Sequence, residues 1–184
     1  MTNSTYSHAL HDIGLAAWFG GTLANAVALN AAAAEADQPG NVGAVANAGW
    51  DRWTPVNAAA IGAHLAGSVG LLARDVPRMH AQQGVASMAG LKTALTVGAL
   101  GVTAYSRVLG RKVSQQKNVP AESGTEPAAG TPREVAAAQK QLKALQWAIP
   151  AMTGGLVVIA AYASEQYRVS EVKTGIAKRL IPGN

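Results

Sequence analysis

Four long runs of apolar residues constrain this chain more than any other feature of its sequence. They cover residues 13–34, 53–73, 85–106 and 144–164, and only the third contains a charged side chain. An α-helix rises about 1.5 Å per residue, so about 20 residues cross a hydrocarbon core of about 30 Å. Each run is long enough to do so. The sequence therefore predicts an all-α fold, an integral membrane bundle of four transmembrane helices in a single domain.

The charged residue in the third run is Lys92. A lysine near the bilayer centre costs about 2.5–3.5 kcal/mol on insertion scales. Lys92 lies about two helical turns from the N-terminal end of its run, so its side chain can reach the interface or face the interior of the bundle. The third run therefore still counts as a span.

The composition favours a lipid-facing surface. Only 14% of the residues are charged and 49% are hydrophobic, whereas about a quarter of the residues of a soluble domain are charged. The net charge of +5 comes from Lys and Arg that flank the apolar runs without interleaved aromatic residues. We therefore expect the lipid bilayer, with its anionic head groups, as a partner, and no nucleic acid. The chain has no Cys, which excludes disulfides, thiolate metal sites and iron–sulfur clusters.

Two segments outside the spans have a distinct composition. Residues 113–132 are rich in Pro, Gly and Ser, which predicts a flexible loop. The tail, residues 165–184, places Ile176, Leu180 and Ile181 among basic residues, which predicts a short amphipathic segment on the membrane surface. The orientation stays open because basic residues crowd both the third loop and the tail. They are Arg107, Arg111, Lys112 and Lys117 in the loop, and Arg168, Lys173, Lys178 and Arg179 in the tail.

Polar residues recur at helical spacing within the first three spans. A hydrogen-bonding group left in lipid costs free energy, so we expect these stripes to face one another and to form a polar seam inside the bundle. Two interpretations stay open: a packing seam closed by interhelical hydrogen bonds, or a path for a ligand or a proton. The candidate seam residues are His11, Trp18, Asn25, Asn57, His64, Ser68, Lys92 and Thr96.

The histidines raise the question of a metal or haem site. His8 and His11 share a helical face and are followed by Asp12, but two imidazoles and a carboxylate beside an interface are common by accident, so we predict no metal and no other cofactor. His11 lies at the edge of its span and His64 near the middle of the next, an axial mismatch of about 15 Å that argues against a bis-histidine haem. His64 is the best single functional candidate, because ionisable residues in spans are rare and costly.

The first span, "HDIGLAAWFGGTLANAVA", resembles the opening helix of small bacterial membrane proteins of the copper-resistance D and TMEM205-like type, in which a His near the entry is followed by W-x-G-G. The match covers about 20 of the 184 residues and includes His11, Trp18, Gly20 and Gly21. The resemblance implies a four-helix unit of the bacterial inner membrane, sometimes linked to copper. This chain departs from it by having no Met or Cys cluster for Cu(I).

The spans contain small-residue ladders, Gly62–Ala66–Gly70 and Gly90–Ala94–Gly98, which favour close contact between helices. No motif of a known enzyme class occurs in the chain, so we predict no enzyme. The leading interpretation is a structural or accessory membrane protein that acts through helix–helix contacts, as a homo-oligomer or as a subunit of a larger complex. The alternative is a small transporter or channel-like protein for an ion or small solute, with His64 and Lys92 in its polar seam. A soluble Ala-rich bundle is a third interpretation.

Overall fold

The computed structural model describes residues 2–116 and 118–180, so Lys117 and Ile181 of the predicted basic and amphipathic segments lie outside the described residues. Helix α1 (Thr2–Ala24) continues through a π-helical segment (Asn25–Leu29), an α-helical turn (Asn30–Ala32) and a 3-10 turn (Ala33–Glu35). The chain then forms α2 (Pro39–Ala81), α3 (Val85–Ser114), strands β1 (Ala121–Ser123) and β2 (Glu126–Pro127), α4 (Arg133–Glu165) and α5 (Val169–Leu180).

Four helical segments are long and apolar enough to cross a membrane: Ser4–Glu35, Pro39–Ala81, Val85–Ser114 and Arg133–Glu165. The prediction of a mostly helical protein with four such helices is confirmed, and the fold indicates a multi-pass membrane protein. Each helix is longer than the apolar run that predicts it. The 43 residues of α2, for example, correspond to about 64 Å of helix, because helical hydrogen bonding continues into polar sequence on both sides of the apolar run.

The outer surface of the bundle carries many large apolar side chains. Ile13, Val27, Val69, Val97 and Val158 are each more than half exposed, at 69%, 57%, 68%, 62% and 55%. These side chains suit contact with lipid.

Exposed aromatic residues lie at two levels of the bundle. Tyr6 and Tyr162 lie towards the end that carries the start of α1, and Tyr105 and Trp147 lie towards the opposite end. Trp147 and Tyr162 are 15 residues apart on α4, or about 22 Å along the helix. Aromatic belts at the two membrane–water interfaces have this arrangement.

Glycines bring the backbones of α1 and α2 into direct contact. A Cβ atom at Gly14 would lie 2.5 Å from the carbonyl oxygen of Ala60, and one at Gly67 would lie 2.5 Å from that of Ser7. No other residue fits at these two positions without moving one helix away from the other. None of the four predicted ladder glycines makes such a contact with backbone: Gly62 and Gly90 have no neighbouring atom within 4 Å, and Gly70 and Gly98 meet only side-chain atoms.

The four long helices form two closely packed pairs, α1 with α2 and α3 with α4, and α1 also packs against α4. Contact between α2 and α3 is sparser. Both cavities described below lie on this less tightly packed side, and residues of α2 and α3 form much of their lining.

Residues 113–132, predicted to be a flexible loop, contain local structure between α3 and α4, and their flexibility stays a prediction. Its first residues, to Ser114, belong to α3, and β1 and β2 pair in antiparallel fashion. Ala121 and Thr125 are buried, and the backbone N–H of Gly124 donates to the carbonyl oxygen of Asn30 at 3.2 Å. The prediction missed this ribbon because tertiary contacts hold it, and composition does not reveal such contacts.

The tail forms a helix, α5, within the predicted amphipathic segment. The carbonyl oxygen of Gly175 accepts a hydrogen bond from the backbone N–H of Gln83 at 3.2 Å, so α5 lies against the turn between α2 and α3. Its contact with a membrane surface stays a prediction.

Candidate functional site: two polar cavities in the bundle

His11 and His64 meet at the contact between α1 and α2. Both are 1% exposed, and their ring centroids lie 4.6 Å apart. His64 Nδ1 lies 3.3 Å from the carbonyl oxygen of His11, to which it donates when that nitrogen carries the proton. Asp12 Oδ1 lies 2.7 Å from His11 Nδ1. The close approach of the rings is made possible by the adjacent backbone contact at Gly14.

The predicted axial mismatch of about 15 Å between these two histidines is wrong. It assumed that His11 lies at the entry of its helix, whereas α1 begins at Thr2 and His11 lies more than two turns inside it. The two rings are in contact, so no haem fits between them.

The buried ring nitrogens of this contact have free hydrogen-bonding capacity. His11 Nε2, His64 Nε2 and Trp18 Nε1 are buried without a hydrogen-bond partner, and the Trp18 ring centroid lies 6.0 Å from that of His64. His8 instead contacts the ring of Tyr167 edge-on, at 6.1 Å between centroids. Across residues 2–116 and 118–180, no group of three or more His, Asp or Glu side chains is arranged to hold a metal ion.

A first cavity of about 260 Å³ lies at the end of the bundle that carries the start of α1. Four of the predicted seam residues line it together: His11, Ser68, Lys92 and Thr96. Lys92 thus faces the interior of the bundle, one of the two orientations expected for it. The cavity is partly open and also carries the acidic side chains of Asp12 and Asp75 and the basic side chain of Arg78.

Tyr167, in the turn after α4, closes one side of the first cavity. Its hydroxyl group donates to the Asp75 carboxylate, with both oxygens at 2.7 Å, and the Arg78 guanidinium lies 3.9 Å from its ring centroid. Burial, and then the hydrogen bond to Asp75, raise the pKa of Tyr167 above its usual value of 10.0. Sequence reasoning missed this cluster. The only signal was Asp75 followed by Arg78 at the end of the second apolar run.

A second cavity, of about 290 Å³, lies at the opposite end of the bundle. Among the predicted seam residues, Asn57 lines it, together with Trp53, Thr103, Ser106 and Arg107. The guanidinium of Arg107 pairs with the carboxylate of Asp51 at 2.8 Å. Asn25, also predicted in the seam, is half-buried in the π-helical segment and lines neither cavity.

A hydrogen-bond network forms one wall of the second cavity. Asn30, which is 3% exposed, donates through Nδ2 to Gln146 Oε1 at 2.6 Å and accepts from Trp50 Nε1 at 3.1 Å. Gln146 Nε2 in turn donates to Thr125 Oγ1 at 3.4 Å. The network was not predicted, and its only trace in the sequence is a polar Asn30 directly before four alanines.

An apolar layer separates the two cavities. Its buried core consists of Trp18, Ala60, Ala99 and Ile149, and Leu100 packs against it. Leu100 lines both cavities, and Ile149 also lines the second. The bundle therefore contains two cavities towards its opposite ends, each with polar side chains among mostly apolar ones, and apolar side chains lie between them, of which Leu100 contacts both.

No family model matches the chain, and comparison with curated proteins and with solved structures found no match. The resemblance of the first span to the copper-resistance D and TMEM205-like type thus stays a prediction from His11, Trp18, Gly20 and Gly21. Of these, His11 and Trp18 are buried, and a Cβ at Gly21 would clash with the Trp53 ring, whereas Gly20 has no atom within 4 Å.

Proposed function

We propose that this protein is a small transporter or channel-like protein for an ion or small polar solute, in the bacterial inner membrane. The observation that carries the proposal is the pair of polar cavities on the two sides of one apolar layer. A solute that entered either cavity would leave through the other after the side chains of this layer had moved. An apolar layer between two cavities that carry polar groups is similar to a pore with an apolar constriction.

The charged groups of the first cavity support the same function. Lys92 lies within the third span and faces a cavity that also contains Asp12 and Asp75. Charged side chains inside a span are costly unless they face water or one another, and those that occur commonly mark a solute or ion pathway. A Leu at that position would cost less to insert into the bilayer.

The experiment uses the purified chain in proteoliposomes and targets Leu100, which lines both cavities. The probes are glycerol and urea, followed by light scattering, and potassium, chloride and protons, followed by entrapped dyes. We expect at least one probe to cross faster than in empty liposomes. Leu100→Ala should increase that flux because it thins the apolar layer, and Leu100→Trp should reduce it. The control is Leu91→Ala, since Leu91 is 50% exposed on the same helix and lines neither cavity.

Two outcomes would overturn the proposal. One is that no probe crosses faster than in empty liposomes, either with the unmodified chain or with Leu100→Ala. The other is a flux that Leu100→Ala and Leu91→Ala alter equally, since the route would then not pass the apolar layer.

A structural or accessory role is the second candidate. Gly20, Gly62 and Gly90 have no atom within 4 Å of a built Cβ position, so these glycines leave room for another helix to approach from outside. Extraction in mild detergent tests this role. Co-purification of a stoichiometric partner, together with absence of flux, would favour it over transport.

A further inference from the structure

The side chains that line the second cavity include five with a polar atom that is buried and lacks a hydrogen-bond partner, so such an atom meets a ligand only when its side chain turns towards the cavity. Buried polar groups in folded proteins are nearly always paired, so such atoms call for an explanation. Among the described residues that line the first cavity, His11 alone has a buried polar atom without a partner, its Nε2. The second cavity's lining has Trp53 Nε1, Asn57 Oδ1, Thr103 Oγ1, Ser106 Oγ and Arg107 Nε.

These five atoms define what kind of ligand could pair with them. The indole N–H of Trp53 and the Nε–H of Arg107 can only donate, Asn57 Oδ1 can only accept, and the hydroxyls of Thr103 and Ser106 can do either. A matching ligand must therefore both donate and accept, at several positions. A polyol meets this requirement, whereas a simple anion only accepts, an ammonium ion only donates and a metal cation does neither.

Charge balance also favours an uncharged ligand. The charged residues in the lining of the second cavity are Asp51 and Arg107, and they neutralise each other across 2.8 Å. No charge is left over to compensate that of an ion. An ion taken into a cavity with apolar walls would lose hydration energy that nothing there returns.

The remaining walls are apolar or aromatic. Trp50, Ile61, Leu100 and Ile149 contribute to the lining, and their surfaces suit the C–H faces of a hydroxylated carbon chain or ring. The cavity volume of about 290 Å³ lies at the lower end of the range for small-molecule pockets, so the ligand is small.

We infer that the second cavity is a binding site for a small neutral polyol, between glycerol and a monosaccharide in size. The inference rests on the proposed function in one respect: the bound polyol would be the solute that the protein carries. Binding itself requires no transport and is measured separately from it.

The test is equilibrium dialysis of the full chain, in a detergent without a sugar head group, against radiolabelled glycerol and radiolabelled glucose. The variants are Thr103→Val and Ser106→Ala. Each removes one unpaired hydroxyl, so neither should lower the melting temperature of the unliganded protein. The matched control is Thr96→Val, because Thr96 lies two turns earlier on α3 and lines the first cavity instead.

We expect saturable binding of at least one polyol to the unmodified chain, weakened about tenfold by each hydroxyl deletion and unchanged in Thr96→Val. Absence of saturable binding would overturn the inference, as would acetate or ammonium that competed as strongly as unlabelled polyol. A phospholipid that stays bound in this cavity and leaves no room for polyol would also overturn it. Flux without polyol binding contradicts the inference alone, whereas binding without flux contradicts only the proposed function.

Discussion

At the contact between α1 and α2, single glycines decide how closely two backbones approach. Gly14 lies against the backbone of Ala60 and His64, and Gly67 lies against that of Ser7 and His11. This contact sets the axial register of the two helices and with it the position of the histidine rings. Helical periodicity predicted that His11 and His64 lie on inward-facing stripes. It could not predict their contact, because register between helices depends on residues about 50 positions apart in the sequence.

The first prediction therefore concerns Gly14. Gly14→Ala would place a methyl group 2.5 Å from the carbonyl oxygen of Ala60, and backbone on both sides cannot yield cheaply. We expect the variant to lose about 1–3 kcal/mol of stability, measured by thermal unfolding in detergent. Gly20→Ala is the control, since no atom lies within 4 Å of its added carbon, and it should be neutral or gain up to about 1 kcal/mol. Equal melting temperatures for the two variants would show that the helices are not in this close contact.

At the scale of elements, the ends of the helices are held by polar side chains that the apolar pattern does not reveal. Asn30 joins α1 to Trp50 on α2 and to Gln146 on α4, and its carbonyl oxygen binds the ribbon at Gly124. The four long helices were predictable from the sequence because hydrophobic length alone specifies them. The ribbon was not, since its two strands of three and two residues are stabilised by groups far away in the chain.

The second prediction is that Asn30 controls access of proteases to residues 113–132. Asn30→Ala removes two side-chain hydrogen bonds and leaves Trp50 Nε1 and Gln146 Oε1 without these partners, at a cost of about 1–3 kcal/mol each. We expect limited proteolysis within this segment to become markedly faster. Asn41→Ala serves as the control, because Asn41 is exposed. If cleavage is equally fast in the unmodified chain, the composition-based prediction of a flexible loop holds and the network does not restrain the segment.

At the scale of the whole molecule, the account depends on two cavities that lie towards opposite ends of the four-helix bundle. The sequence predicted the spans and four of the polar residues around the first cavity, since Lys92, Thr96, Ser68 and His11 all belong to the polar stripes. It did not predict that the seam is interrupted. The interruption comes from Trp18, Ala60, Ala99 and Ile149. Each of them lies on a different helix, so their contact depends on how all four helices pack.

The most direct measurement is cysteine accessibility from each side of the membrane, since the chain has no cysteine of its own. Ser68→Cys reports on the first cavity and Ala104→Cys on the second, since Ala104 lines that cavity and is exposed. Val158→Cys, on the apolar outer surface, is the control that a membrane-impermeant maleimide should not label. In sealed vesicles of the two orientations, the account predicts labelling of Ser68→Cys from one side only and of Ala104→Cys from the other side only. Labelling of both from the same side, or of all three variants equally, would contradict it.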